Sequence, residues 1–207
     1  MHQRNAQQTR LALMQAGARL FAELGFDGAS TQRIAEAANV NKAMVQYHFV
    51  GKLGLYQAIF NHVLDRSESR LETFSPERAA DGPTAIGEWI ELLCELAGLM
   101  PSLPGLLMRE HLEQGKRLSE SAQSRLNLFQ DKTEQVLGAH SEFFRSEDPR
   151  HVHLSIVGAV NYFLVTEEFR RRFEQHQQLA GGADDQTTYR AYLKRLFASG
   201  LAACTPQ

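Results

Sequence analysis

The sequence predicts an all-α protein: a three-helix head over residues 1–50 that holds a helix-turn-helix, and a larger helical body over residues 51–207. Three observations carry that expectation. Apolar residues recur at spacings of three and four through almost every long segment, and no stretch of useful length alternates as a strand would. Residues Ser30 to Lys52 read as two short helices joined by a tight turn. The charge is uneven as well. Through Lys52 six basic and three acidic residues give +3, whereas the remainder carries −5, in a chain of net charge −2. A basic head on an acidic body suits one-ended contact with a polyanion.

The first helix, residues 4–25, is amphipathic, with Leu13, Ala16, Leu20 and Leu24 on one stripe. Gly25 is placed to close it, and Phe26 to pack back toward the helix-turn-helix. Ser30 offers an acceptor for the open N–H groups of a helix over Thr31 to Ala38, in which Ile34, Ala35 and Ala38 face inward. Ala35 is small where the next helix must pass. Asn39 stands where the turn needs a left-handed residue, and Asn tolerates that conformation better than most. Asn41 can cap the following helix, Lys42 to Phe49, on which Val45 and Phe49 point inward. Lys42, Ala43, Met44, Gln46, Tyr47 and His48 are then left outward, a mixture of donors, acceptors and small apolar groups that fits a major groove. A fourth helix runs from Lys52 to about Thr73, with Leu55, Ile59, Val63 and Leu64 inward.

The main break in composition lies between Ser75-Pro76 and Gly82-Pro83. Thr84 to Met100 is apolar on most sides and reads as a central buried helix. Pro101 and Pro104 end it and start a short helix that runs to Gly115. Ser119 to Phe144 is a longer, charged helix. Asp148-Pro149 is a strong helix start, and the helix that follows is expected to reach Gln175. Gly181-Gly182 is a loop, and Asp184 to Ala203 is the last helix.

From Arg10 to Phe60 the chain resembles the DNA-binding domain of TetR-type bacterial transcriptional regulators, most strongly in LFAELGF, IAEAANV and the YHF…K segment. It departs from that pattern at Asn39, where Gly is usual, at Gln46, where a phosphate-contacting Tyr is usual, and at Leu53, where an acidic residue is common. The resemblance implies a dimer bound to a palindromic double-stranded operator, and a body that senses a small molecule. Thr31, Gln32, Arg33, Lys42, Ala43, Met44, Gln46, Tyr47, His48 and Lys52 are the expected DNA-facing residues, Lys52 on a phosphate. Trp89, Met100, Met108, Phe129 and Tyr162 fall on elements that surround an effector pocket in such proteins, with Arg109, His111 and Asn161 as polar contacts. Together they favour an apolar or aromatic effector.

A homodimer is expected through two faces. Ser155, Gly158, Ala159 and Tyr162 lie at i, i+3, i+4 and i+7, and Leu193, Leu196, Phe197 and Gly200 form a comparable stripe. No catalytic set, cofactor motif or metal site is legible; His151 and His153, two apart, point to different helix faces. Cys94 and Cys204 are unpaired in spacing, the N-terminus has no apolar core and no stretch is long enough to span a bilayer. A soluble, cytoplasmic protein is expected. The rival readings are a helix-turn-helix module that binds protein rather than DNA and, behind it, a small helical enzyme.

Overall fold

The computed structural model describes residues 2–144, 147–177 and 186–202. Among them the chain forms ten α-helices: α1 (His2–Gly28), α2 (Thr31–Ala37), α3 (Ala43–Phe49), α4 (Lys52–Thr73), α5 (Gly82–Ala97), α6 (Leu103–Leu112), α7 (Glu120–Ala139), α8 (Pro149–Val165), α9 (Glu167–Gln177) and α10 (Gln186–Leu201). One 3₁₀ turn, Pro76–Arg78, precedes α5, and a single antiparallel bridge joins Phe144 and Ala202. No strand occurs among the described residues, as the periodicity predicts. The expected Gly181-Gly182 loop, the start of the last helix at Asp184 and Cys204 lie outside the described residues.

The helices group into two compact units, Met1–Glu68 with Leu99–Arg125, and Ser69–Gly98 with Leu126–Gln207. By contact, the first unit thus extends past residue 50 and takes in a later segment. In its core Leu13, Phe21, Ile34, Ala35, Val45 and Phe49 are buried with Leu55, Tyr56 and Ile59 of α4, and with Leu103 and Leu106 of α6. Gly17 lets α1 and α4 approach: a Cβ there would stand 3.2 Å from side-chain carbons of Leu55 and Ile59. Arg109 fastens α6 to α1, its guanidinium donating to the Ala22 carbonyl at 2.6 Å and the Glu23 carbonyl at 2.8 Å.

Gly25 does not end α1. It takes a left-handed φ of 75°, kinks the chain, and a further helical turn continues to Gly28. The kink turns Phe26 inward, where it stacks on Phe21 at 5.6 Å and meets the edge of Tyr56 at 5.4 Å. Leu24, expected on the inward stripe, is exposed just before this change of direction.

The second unit is built on α5, whose Ile86, Trp89, Ile90 and Leu93 are buried. It packs mainly against α10 and also against α8. Glu91 of α5 pairs with Arg190 at 2.8 Å and with Lys194, both on α10. Asp148 caps α8 through the Arg150 N–H, as expected from Asp148-Pro149. That helix stops at Val165 rather than running on to Gln175. The Thr166 hydroxyl donates to the Tyr162 carbonyl, and the Arg170 guanidinium donates to the Phe163 carbonyl and to Thr166 Oγ1, so acceptors of the last turn are taken by side chains. The helix expected to reach Phe144 ends at Ala139, and His140 beyond it bonds the Pro76 carbonyl at 2.9 Å.

Glu110 is the most demanding group in the first unit, a carboxyl only 2% exposed. It accepts from the Tyr56 hydroxyl at 2.5 Å and from the Arg117 backbone N–H at 3.0 Å. Burial first, and then the bond to Glu110, push the Tyr56 phenol well above its ordinary pKa. Tyr56→Phe should therefore cost about 1.5–3 kcal/mol, the range for losing a hydrogen bond to a charged group. Urea unfolding should show a lower midpoint at an unchanged slope; an unchanged midpoint would mean that Glu110 does not depend on this donor.

Candidate nucleic-acid interface

Each helix of the Ser30–Lys52 segment has only seven residues, so local capping and burial must fix them. Ser30 Oγ accepts from the Arg33 N–H at 3.2 Å. Asn39 is left-handed with φ 54°, and the Val40 N–H reaches back to the Ala35 carbonyl at 2.9 Å, which closes the turn. Asn41 Oδ1 accepts from the Ala43 N–H at 2.8 Å and opens α3. Val45 and Phe49 are buried, with the Arg10 guanidinium 5.3 Å from the centre of the Phe49 ring. After Phe49, Val50 closes the helix in a left-handed conformation at φ 59°, an unusual place for a β-branched residue.

Burial of Val45 and Phe49 sets the outward face. At about 100° per residue, Tyr47 points directly away from that pair, Ala43 and Met44 flank it, and Gln46 and His48 lie at the two edges. Tyr47 is 75% exposed, its ring edge-on to His48 at 4.9 Å. Lys42, Ala43 and Gln46 are also exposed, while Met44 and His48 are half-buried. On α2, Gln32 and Arg33 are exposed and Thr31 is half-buried; the Gln32 amide donates to Glu36 at 2.7 Å. Lys52 is half-buried at the start of α4, its ammonium donating to the Phe26 carbonyl at 2.9 Å and lying 4.5 Å from the centre of the Phe26 ring. The segment therefore gathers these candidates onto the surface of one helix pair and its flanking turn.

The effector candidates are not gathered in that way. Met100, Met108, Arg109 and His111 belong to the first unit, and Trp89, Phe129, Asn161 and Tyr162 to the second. Met100 is core, Arg109 is spent on the carbonyls of α1, and Met108 and His111 are exposed. Trp89 is fully enclosed. Its indole N–H donates to Thr133 Oγ1 at 3.0 Å, and that oxygen also lies 2.9 Å from His153 Nδ1. Burial holds the His153 ring below the ordinary imidazole pKa. An open groove of about 320 Å³ in the second unit is lined instead by Arg70, Thr73, Phe74, Leu92 and the carboxylates of Glu88, Glu91 and Glu95.

Of the dimer candidates, Ser155, Gly158, Tyr162, Leu196 and Gly200 are exposed, Ala159 and Phe197 are half-buried, and Leu193 is buried in its own chain. Sequence reasoning missed Arg10, Tyr56, Glu110 and Arg117, and did not connect Phe26 with Lys52. Only Phe26 carried a local signal, in its position after the kinking glycine.

Comparison with known proteins agrees with this geometry. Residues 13–59 match the family of bacterial regulatory proteins, tetR family. Over 154 residues, 73% of this chain and 72% of the relative, the sequence is 28% identical to the HTH-type transcriptional regulator RutR of Escherichia coli strain K12. It is 25% identical over 119 residues to the HTH-type transcriptional repressor NicS of Pseudomonas putida, 56% of this chain and 54% of that one. The ketosteroid transcriptional regulator KstR2 of Mycobacterium tuberculosis shares the fold, with a TM-score of 0.69 at 17% identity across 94% of this chain and 95% of that one. The capped helix pair and its outward polar face thus lie inside the segment that matches the tetR family, and the chain around them is similar to HTH-type transcriptional regulators over most of its length.

Proposed function

We propose that the protein is a homodimeric repressor that places one α3 in each of two successive major grooves of a palindromic operator and is released by a small apolar or aromatic effector. The observation that carries the reading is Tyr47, the most outward residue of α3, held opposite the buried Val45 and Phe49 pair. Its ring can meet thymine methyls, as can Met44, while Lys42, Gln46, His48 and Lys52 flank it toward the phosphates. Thr31, Gln32 and Arg33 start the helix that crosses the backbone in this class of motif. Action by binding rather than turnover follows the relatives, which are transcriptional regulators.

Alanine substitutions separate the two kinds of contact. Lys42→Ala should weaken binding to every sequence and reduce the salt slope by about one unit per bound subunit. Tyr47→Ala should instead flatten sequence preference, read by selection from a random-sequence duplex library. Should Tyr47→Ala leave both affinity and preference intact, the recognition helix has been oriented wrongly; should the wild type bind no duplex at low salt, the protein-binding module is the better reading.

The dimer is assigned to α8 and α10. A Cβ built at Gly158 or at Gly200 would meet nothing within 4 Å, so these glycines are not needed for packing inside the chain. Tyr162, 66% exposed, continues the face of Gly158 by one turn, and Leu154, Val165, Tyr192 and Leu196 leave large apolar surface beside it. Small residues between large ones let a second helix approach closely, and a two-fold axis would pair α8 and α10 with their copies as a four-helix bundle. Leu193 contributes to the core behind this face rather than to the face itself. Gly158→Arg puts a charge near its own copy without touching the chain's own packing. Sedimentation should then show a monomer of unchanged helicity; a variant that stays dimeric moves the interface elsewhere.

The effector is assigned to the second unit, which holds the candidates Trp89, Phe129, Asn161 and Tyr162, with Trp89 and Asn161 buried there. With Trp89 enclosed, entry there requires a conformation in which α5 and its neighbours part, so a ligand would act by favouring that state. A panel of aromatic acids, steroids and fatty acids should contain a compound that raises the melting temperature of the free protein and lowers its affinity for the selected duplex. A compound that stabilises the protein and leaves DNA affinity unchanged is not its inducer.

A further inference from the structure

We propose that Phe26 is a positioning residue for DNA binding, which holds the Lys52 ammonium at the phosphate edge and, among the described residues, does so with neutral groups alone. The inference rests on the reading of Lys52 as a phosphate contact. Lys52 and Phe26 are 26 residues apart in sequence, and the kink at Gly25 brings them together. The ammonium has three donors. One is used by the Phe26 carbonyl at 2.9 Å, and the positive charge lies 4.5 Å from the centre of the ring, within cation–π range. A carboxylate in the same place would fix the side chain equally well and cancel the charge that a phosphate needs. A carbonyl and a ring fix it and leave the charge intact, with donors to spare.

The ring is itself held. Phe21 stacks on it, the edge of Tyr56 meets it, and the Arg117 guanidinium lies 4.5 Å from its centre. A second cation on the same ring would repel Lys52, but Arg117 is paired with Glu113 and, at 3.4 Å, with Asp27. Arg117 therefore supplies a flat packing surface with its charge offset, and Lys52 keeps the uncancelled one. Both properties follow from the partners each cation has.

The test uses the full-length protein and a fluorescent 40-base-pair duplex of arbitrary sequence, titrated between 50 and 200 mM salt. Lys52→Ala should reduce the salt slope by about one unit per bound subunit. Phe26→Met keeps comparable bulk but lacks the ring; it should reduce the slope by at least half as much, and Phe26→Met combined with Lys52→Ala should do no more than Lys52→Ala alone. Phe26→Tyr keeps the ring and should restore the wild-type slope. If Lys52→Ala leaves the slope unchanged, the phosphate reading of Lys52 falls, and this inference with it. If Lys52→Ala acts and Phe26→Met lowers affinity at an unchanged slope, Phe26 is only structural and the inference is overturned. Nuclear magnetic resonance of the wild type decides independently of any variant's folding. A Lys52 ε-methylene shifted upfield by the ring, in free protein and in the DNA complex, supports the proposal; an ordinary shift in the complex refutes it.

Discussion

The buried Glu110 carboxyl is the constraint on which the first unit turns. Stripped of its donors, an enclosed carboxylate costs several kcal/mol, more than any one apolar contact around it returns. The Tyr56 hydroxyl and the Arg117 N–H must therefore both stay in place. Holding the first fixes α6 against α4. Holding the second fixes the backbone of the turn after α6, where the Arg117 carbonyl in turn accepts from the Gln57 amide at 3.1 Å. With that backbone set, the Arg117 guanidinium has a fixed origin from which to reach the Phe26 ring. A chain of polar and aromatic contacts thus runs from a buried acid to the edge of the helix-turn-helix.

Most of the helix-turn-helix was legible in the sequence, because its determinants are local. The Ser30 cap, the left-handed Asn39, the Asn41 acceptor and the inward Val45 and Phe49 each act within about four residues, the distance over which a helix pattern carries information. Asp148-Pro149 was legible for the same reason. The end of α8 was not. Thr166 and Arg170 stop it by taking carbonyls of its last turn, and nothing in an apolar run such as SIVGAVNYFLV signals that a side chain further on will do so.

Contacts across the chain were beyond the reach of pattern. Periodicity places Leu55 on an inward face but does not say that the hydroxyl of the next residue, Tyr56, meets an acid 54 residues away. Arg109 was expected as a polar contact of the pocket; its geometry ties it to the carbonyls of Ala22 and Glu23. Trp89 shows the converse difficulty. An aromatic residue on an apolar helix suits either a core or a ligand wall, and only the hydrogen bond from its indole to Thr133 distinguishes them, since that donor must be satisfied when the ring is enclosed. Leu193 shared a stripe with Leu196 and Gly200, yet three residues along a helix is far enough for it to turn under its own chain.

The shortness of α2 and α3 carries a further consequence for recognition. Two turns of helix are not stable in water on their own, so the direction in which Tyr47 points is inherited from the burial of its neighbours. Phe49 is seated under Arg10 from α1, and Val45 and Ile34 share the core with Leu55 and Ile59 of α4. Any change that loosens this core rotates or frays α3 before it alters a single outward side chain. Affinity for DNA and stability of the first unit are in this sense one quantity, read at two places. The polar tie at Glu110 then matters to how α3 is held, because Tyr56, which donates to it, is buried in the same core as Val45 and Phe49.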